Sequence, residues 1–305
     1  LFYLTKLRQD KRPVVIALTA ISFSLIFLSQ NLVILISLPI LALYTLIIGL
    51  YRKSIAYFVI SFIAVIWGFA ISAFTYIPAI FERGYVRFDS SFNNAYLGHF
   101  VCLPQLIHSL WGYGFDFPGC LNDSLSFQIG LTQILIVFIY IGTFLFLILK
   151  KIISKSKNKE TKEQQICFSL SMLFFTVLCL YLFLMIDTVF IRKIWENTKL
   201  LHFIDIPWRF LGITTLSVAF LSAFIISRLK PGIIFIFLII SFLVANRNML
   251  KINKEIYYTE EHFLNFEGSA TERSEFMPNF GAKQDLIFKN RISILSGDVT
   301  ISNVN

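Results

Sequence analysis

The chain has 305 residues, of which 56% are hydrophobic and only 15% are charged, and it contains 34 phenylalanines. A water-soluble domain could not bury so much apolar surface, so the composition excludes an ordinary soluble enzyme and is typical of a membrane protein. The net charge of +9 does not indicate nucleic-acid binding, because the Lys and Arg residues cluster beside apolar runs rather than on a soluble module.

Seven apolar runs predict about seven transmembrane helices. They cover residues 13–28, 32–50, 54–77, 129–149, 165–186, 209–227 and 233–245. Most approach the ~20 residues that a helix needs to cross the hydrocarbon core. The polar residues Ser29, Gln30 and Asn31 separate the first run from the second, so we expect a helical hairpin with these residues at its tip.

The positions of the basic residues predict the orientation of these helices. The short segments around Lys11, Arg52, residues 150–162 and Arg228 hold about 14 Lys and Arg, whereas the loops on the opposite side hold about five. Cytoplasmic loops carry such an excess. We therefore expect the first residue on the cytoplasmic side and the last residue outside.

Two segments between the spans are long enough to form structure of their own. Residues 78–128 make a long polar loop, which the predicted orientation places on the outer face. Residues 189–204 carry apolar side chains near helical spacing with charged residues between them, which predicts a helix lying in the membrane interface. Both belong to a predicted transmembrane helical domain, residues 1–245.

The composition changes after Ala245. Residues 246–305 are polar and contain the alternating stretches DLIFKN, RISILSG and VTISNV, with a candidate hairpin turn at Ser296-Gly297-Asp298. This pattern predicts an extracytoplasmic β-containing segment that is truncated at Asn305. Because the chain also begins at Leu1 rather than Met, we expect it to be a fragment.

Charged and imidazole side chains of the outer loop are the first binding candidates. Arg83 and Asp89 either form surface ion pairs, or the arginine holds a phosphate while the carboxylate orients an acceptor or a divalent ion. His99 and His108 are too far apart for one helical face, and the chain has no HExxH motif. We assign no metal ligands and no certain cofactor.

The aromatic part of the same loop is the second candidate. Trp111, Tyr113 and Asp116 lie among three glycines and a proline, which predicts a tight irregular backbone. The rings either anchor the loop at the headgroup level or stack on a sugar or lipid whose hydroxyl groups Asp116 binds. Cys102 and Cys120 face the oxidising side in the predicted orientation, so a disulfide and two separate thiols are both open.

The third candidate lies at the outer end of the sixth predicted span. Trp208 and Arg209 follow Pro207 there. An arginine at a span end can simply extend to water, but the proline fixes this one in place, so it could instead meet a lipid phosphate.

Several short motifs in a fixed order resemble one family. They are SQN between two spans, IPAIFERGYVRFD, HFVCLPQLIHSLWGYGFDFPG followed by SFQIG, IPWRFLG before a span, and ERSEFMPNF after the last span. The chain is similar in these to bacterial membrane proteins labelled 6-pyruvoyl-tetrahydropterin synthase-related, which resemble membrane glycosyltransferases of the C type. The histidine cluster with which the soluble pterin synthase binds zinc has no counterpart here. Gln30 stands where the family pattern has histidine.

The resemblance implies a protein of the bacterial cytoplasmic membrane that transfers a sugar from a polyprenyl-phosphate donor to an extracytoplasmic acceptor. Arg83 and Arg209 would hold the phosphate, Trp111 and Tyr113 would stack on the sugar or lipid, and Asp89 or Asp116 would orient the acceptor. The catalytic carboxylate of such enzymes lies in a first outer loop, which we expect before Leu1. The rival interpretations are a transporter of a lipid-linked glycan and a non-catalytic envelope assembly protein.

Overall fold

The computed structural model describes residues 1–86, 95–109, 119–120, 125–153, 161–204, 206–229, 231–247 and 257–264, and within these ranges the regular elements are helices. The α-helices are α1 (Phe2–Leu7), α2 (Pro13–Ser29), α3 (Asn31–Arg52), α4 (Ile55–Glu82), α5 (Leu103–Ile107), α6 (Leu131–Ile153), α7 (Lys162–Met185), α8 (Val189–Asn197), α9 (Leu211–Arg228), α10 (Pro231–Ala245) and α11 (Glu260–Leu264). Short 3-10 turns cover Arg83–Tyr85, Ala95–Gly98, Leu201–Phe203 and Pro207–Phe210.

Five of these helices are long and apolar enough to cross a membrane, namely α3, α4, α6, α7 and α9 with the turn before it. The protein is therefore an all-α, multi-pass membrane protein. The other two apolar helices, α2 and α10, have 17 and 15 residues and are shorter than the usual span. The count of seven spans stays a prediction.

The helix ends follow local sequence signals. A single residue, Gln30, separates α2 from α3 at the predicted tip, and its extended backbone (φ −168°) breaks the helix. Helix α3 ends at Arg52, and the left-handed backbone of the next residue, Lys53 (φ 52°), caps its last turn. Proline is expected to kink or stop a helix, and α4 continues through Pro78 to Glu82.

The centre of the bundle is aromatic. Phe174 of α7 is fully buried and stacks on Phe220 of α9, with ring centroids 4.2 Å apart. Tyr140 of α6 meets Phe224 of α9 edge to face, and Tyr44 of α3 meets Phe174 in the same way. Helices α3 and α9 thus pack against α7, and α6 packs against α9.

Hydrogen bonds between side chains supplement this packing, as is common in lipid, where apolar contact alone gives little preference for another helix over a lipid tail. Such bonds join Tyr51 to Ser169 (2.8 Å), Tyr140 to Ser171 (3.2 Å) and Thr132 to Ser241 (3.0 Å). The Tyr181 hydroxyl also donates to the backbone carbonyl of Ile36 on α3 (2.8 Å).

Helix α4 presents small residues at helical spacing along one buried face, namely Ser61, Ala64, Gly68 and Ser72. A Cβ built on Gly68 would lie 2.6 Å from the Cβ of Phe23 and 2.8 Å from the carbonyl oxygen of Ala20. The backbones of α2 and α4 can approach this closely only because the position has no side chain.

Helix α1 was not predicted from the sequence. Leu4 and Leu7 are buried, the Thr5 and Tyr44 hydroxyls share a hydrogen bond, and the Tyr57 hydroxyl donates to the Leu4 carbonyl (3.2 Å). The short helix is therefore part of the bundle rather than a free basic segment.

The chain forms two compact units. The first contains residues 1–76 and 94–253, and the second contains residues 77–93 and 254–305. The predicted division at residue 245 stays a prediction. The predicted strands near the C-terminus, within residues 265–305, lie outside the described residues.

Candidate functional site

The candidate site lies in the first unit, where part of the predicted outer loop meets the end of α7. The Val101 amide donates to the Met185 carbonyl, and the Asp187 amide donates to the Val101 carbonyl, both at 2.9 Å. These bonds form a short parallel bridge between Val101 and Ile186. The loop is thereby fixed to the end of a membrane helix.

A disulfide fixes the same loop a second time. Cys102 is bonded to Cys120, with the two Cα atoms 5.7 Å apart. Cys102 also stands at the N-terminus of α5, where its amide donates to the Gln105 side-chain oxygen (2.8 Å). Of the two arrangements that the sequence left open, the structure has the disulfide.

Helix α8 covers this loop. The Thr188 hydroxyl caps its first turn, and its Ile191 and Trp195 side chains are fully buried, whereas Phe190 is exposed. The helix ends at Asn197 and is followed by the turn Leu201–Phe203, so the regular helix is shorter than the predicted 189–204. Its position in the membrane interface stays a prediction.

A stack of three rings joins α8 to the loop. Tyr96 lies between Trp195 and His202, with centroid distances of 5.3 and 5.1 Å and nearly parallel planes. The Trp195 indole donates to the Leu184 carbonyl (3.0 Å), and His202 Nε2 donates to the Trp195 carbonyl (2.7 Å). Burial raises the pKa of Tyr96, so its phenol is neutral at ordinary pH.

Arg192 is the main electrostatic contact of the site, and sequence reasoning did not select it. Its Nε and Nη2 donate to the two oxygens of Asp187 (2.7 and 3.0 Å), and its Nη1 donates to the Leu97 carbonyl (3.3 Å). Its guanidinium lies over the Phe100 ring, 5.2 Å from the centroid. The hydrogen bonds with Asp187 raise the pKa of Arg192. One arginine thus links α7, α8 and the loop.

Trp208 and Arg209 lie on the turn that leads into α9, and both are half-buried. Trp208 packs against Phe127 at 5.8 Å, and Phe127 in turn donates its amide to the Ser109 hydroxyl (3.3 Å). The buried Phe210 packs on Tyr181 at 4.5 Å. The turn is held from both sides, so the backbone of Arg209 has a fixed position.

The two histidines lie in the same loop and differ in exposure. His99 is half-buried and His108 is exposed. His108 directly precedes Ser109, whose hydroxyl accepts a hydrogen bond from the Phe127 amide. The Phe127 ring packs against Trp208, so His108 lies on the part of the loop that contacts the Trp208 turn. The structure therefore brings His99, His108, Trp208 and Arg209 to one end of the first unit.

The remaining predicted residues divide into two groups. Arg83 lies in the second unit, on the turn after α4. Asp89, Trp111, Tyr113 and Asp116 lie outside the described residues. Among the residues that the structure does describe, no group of three or more His, Cys, Asp or Glu side chains could hold a metal ion. A divalent ion held by Asp89 or Asp116 stays a prediction.

The arrangement supplies a fixed backbone and a half-buried guanidinium, that of Arg209, at the start of a helix that could span a membrane. A guanidinium offers paired donors to a phosphate, and a half-buried one loses less of this attraction to water than an exposed one. Comparison of the chain with protein-family models, with curated proteins and with solved structures finds no match in any of the three.

Proposed function

We propose that this protein binds the phosphate of a polyprenyl-linked sugar at the end of its bundle that carries the disulfide, and transfers the sugar to an acceptor outside the bacterial cytoplasmic membrane. The observation that carries this proposal is the position of Arg209. It is held at the start of a span, beside Trp208 and next to a loop fixed by both a disulfide and hydrogen bonds.

The proposed orientation has seven spans, with the first residue inside the cell. Arg8, Arg52 and Arg228 converge on the start of α7, and Asp187, Arg192 and the disulfide lie beyond the end of the same helix. The basic end therefore corresponds to the cytoplasmic side by the positive-inside rule. The disulfide then falls on the oxidising side, which agrees with where disulfides persist.

In the proposed reaction, the acceptor hydroxyl oxygen attacks the anomeric carbon of the sugar. The bond from that carbon to the phosphate oxygen breaks, the polyprenyl phosphate leaves with the electron pair, and the hydroxyl proton passes to a carboxylate. Arg209 would neutralise the phosphate charge that develops on the leaving group. Trp111 and Tyr113 would stack on the sugar or lipid, and Asp116 would orient the acceptor.

The resemblance of the short sequence motifs to glycosyltransferase C-type membrane proteins motivates this proposal, and the charge distribution of the spans is consistent with it. In the described helices that could span a membrane, the charged residues lie at the ends. Ion-coupled transporters usually place ionisable residues or broken helices near the midplane. This charge distribution is an argument for proposing chemistry at the end of the bundle rather than ion-coupled transport through it.

The test uses the full protein in native-like membranes with labelled polyprenyl-phosphate sugars, with and without a divalent metal. We expect transfer to a hydroxyl acceptor, and we expect Arg209→Gln to lower the turnover by about 10²-fold, the usual loss for one charge-stabilising donor. Arg209→Lys should restore part of it. The matched control is Lys193→Gln, an exposed cation on α8.

Each alternative result rejects the proposal in a different way. Movement of the labelled lipid across the membrane without turnover indicates the transporter. Absence of both turnover and movement indicates a non-catalytic assembly protein. An equal loss in Arg209→Gln and Lys193→Gln removes Arg209 from the site.

A further inference from the structure

The opposite end of the first unit brings together three arginines that are far apart in the sequence. Arg8 directly follows α1, Arg52 is the last residue of α3, and Arg228 is the last residue of α9. We call these three residues the arginine cluster. In the sequence they serve only as signals of orientation.

The arginine cluster surrounds the first turn of α7. Arg8 Nη1 lies 2.7 Å from one carboxylate oxygen of Glu163, and Arg52 Nη2 pairs with the other oxygen. Arg228 Nη2 donates to the carbonyl of the next residue, Gln164 (3.4 Å). The ends of α1, α3 and α9 therefore meet at the first turn of α7.

These contacts leave a surplus of positive charge. Two guanidinium groups pair with the Glu163 carboxylate and the third bonds the neighbouring Gln164 carbonyl, so these four side chains carry a net charge of +2 (three minus one). The Nε atoms of all three arginines are buried and have no hydrogen-bond partner among the described residues. The N-terminus of α7, a helix of 24 residues, adds the positive end of its dipole.

The Arg12–Asp10 pair is an arginine whose charge is neutralised by a carboxylate, and it serves as a comparison. Arg12 donates to both oxygens of Asp10, at 3.0 and 2.7 Å, and this bonding lowers the pKa of Asp10 to about 2. Arg12 remains 76% exposed, so water completes its hydrogen bonding. The arginine cluster has neither a carboxylate for each guanidinium nor comparable access to water, since Arg8 is only 9% exposed.

The cluster is nevertheless open on one side. The Glu163 side chain is 53% exposed and that of Arg52 is 31% exposed. The ends of two spans and the start of a third place this opening at the level of the lipid headgroups, where phosphate groups are abundant. Basic pockets between transmembrane helices bind such groups, and guanidinium groups bind phosphate through paired donors.

We propose that the arginine cluster binds a phosphate group at the end of the bundle where α1, α3, α7 and α9 meet. The bound anion balances the surplus charge and links the four helices. In the proposed orientation this site faces the cytoplasm, and it is independent of the transferase proposed for the other end. The phosphate belongs either to an anionic lipid headgroup or to a soluble anion.

The experiment measures the Tm of the full protein in nanodiscs of three compositions: phosphatidylcholine alone, phosphatidylcholine with phosphatidylglycerol, and phosphatidylcholine with inorganic phosphate added. We expect phosphatidylglycerol to raise the Tm by several degrees, about the shift that a ligand in large excess over its Kd produces. A matching rise with inorganic phosphate assigns the site to a soluble anion. No rise with either overturns the proposal.

Three variants separate this site from general attraction between a basic protein and an acidic membrane. Arg52→Gln should lose most of the rise, whereas Arg12→Gln, which removes the same charge from the same end of the chain, should keep it. Glu163→Gln should have a lower Tm in phosphatidylcholine and a larger rise with phosphatidylglycerol, because the anion then replaces the carboxylate. An equal rise in Arg52→Gln and Arg12→Gln overturns the proposal. If Arg52→Gln does not fold, Arg228→Gln takes its place in the same comparison.

Discussion

The close approach of α2 and α4 depends on Gly68, and the chain offers a matched position to measure how strongly. In Gly68→Ala the new Cβ would lie 2.6 Å from the Cβ of Phe23, 2.8 Å from the carbonyl oxygen of Ala20 and 3.1 Å from the amide nitrogen of Ser24. Two of these three neighbours are backbone atoms, which cannot rotate away. The helices must therefore separate to accommodate the methyl group.

Gly142 in α6 is also a glycine within a membrane helix, but a Cβ there meets nothing within 4 Å. Replacing a helical glycine by alanine stabilises a helix by about 0.5–1 kcal/mol at either position. Overpacking a tight contact costs about 1–3 kcal/mol. Both variants gain the same stabilisation from replacing a helical glycine. The difference in free energy of unfolding between Gly68→Ala and Gly142→Ala therefore measures the cost of overpacking the α2–α4 contact, about 1–3 kcal/mol.

The measurement is the Tm of the two variants and the parent protein in the same detergent or nanodisc. We expect Gly142→Ala to equal or exceed the parent and Gly68→Ala to fall below Gly142→Ala, by about 2–4 °C for each kcal/mol. Equal Tm values for the two variants would show that α2 and α4 are not in close contact at Gly68.

Further predictions concern the loop near the end of α7. The double variant Cys102→Ser/Cys120→Ser should lose about 3 kcal/mol of stability, from the chain entropy of an 18-residue separation, and reductant should lower the Tm of the parent protein but not of this variant. Arg192→Gln should cost about 1–2 kcal/mol, because it breaks a bidentate bond to Asp187 that is only partly exposed to water. Lys193→Gln, its exposed neighbour, should leave the Tm unchanged; a similar loss in both variants would contradict the role of the Arg192 pair.

Five of the predicted spans coincide with helices that are long and apolar enough to cross a membrane, because the membrane imposes a simple length and composition rule on spans. The predicted tip at Gln30 coincides with the break between α2 and α3, because a polar residue between two apolar runs marks the point where one helix ends and the next begins. Helix α1 could not be found in this way. Its six residues carry only Leu4 and Leu7 as buried apolar side chains, and their burial depends on Tyr44 and Tyr57, which come much later in the chain.

The contacts of the candidate site were less predictable than the residues that it contains. Trp208 and Arg209 stood out because of the adjacent proline and the span that follows. Arg192 did not stand out, because its link to the loop is a hydrogen bond to the Leu97 carbonyl, 95 residues earlier in the chain. That contact depends on the loop backbone, which the sequence does not reveal. Asp187 and Arg192 on either side of the capping residue Thr188 were the local signal for an ion pair that closes the first turn of α8.

The arginine cluster also constrains the order in which the protein can assemble. Arg8 and Arg228 are separated by 220 residues (228 minus 8), so at ~5–20 residues per second about 10–45 s pass between their synthesis. The first helices are therefore complete long before Glu163 and Arg228 are available to join them. Until α7 and α9 are made, the first four helices can rely only on their own contacts, such as the hydrogen bonds of Tyr44 and Tyr57 to α1 and the close approach of α2 and α4 at Gly68.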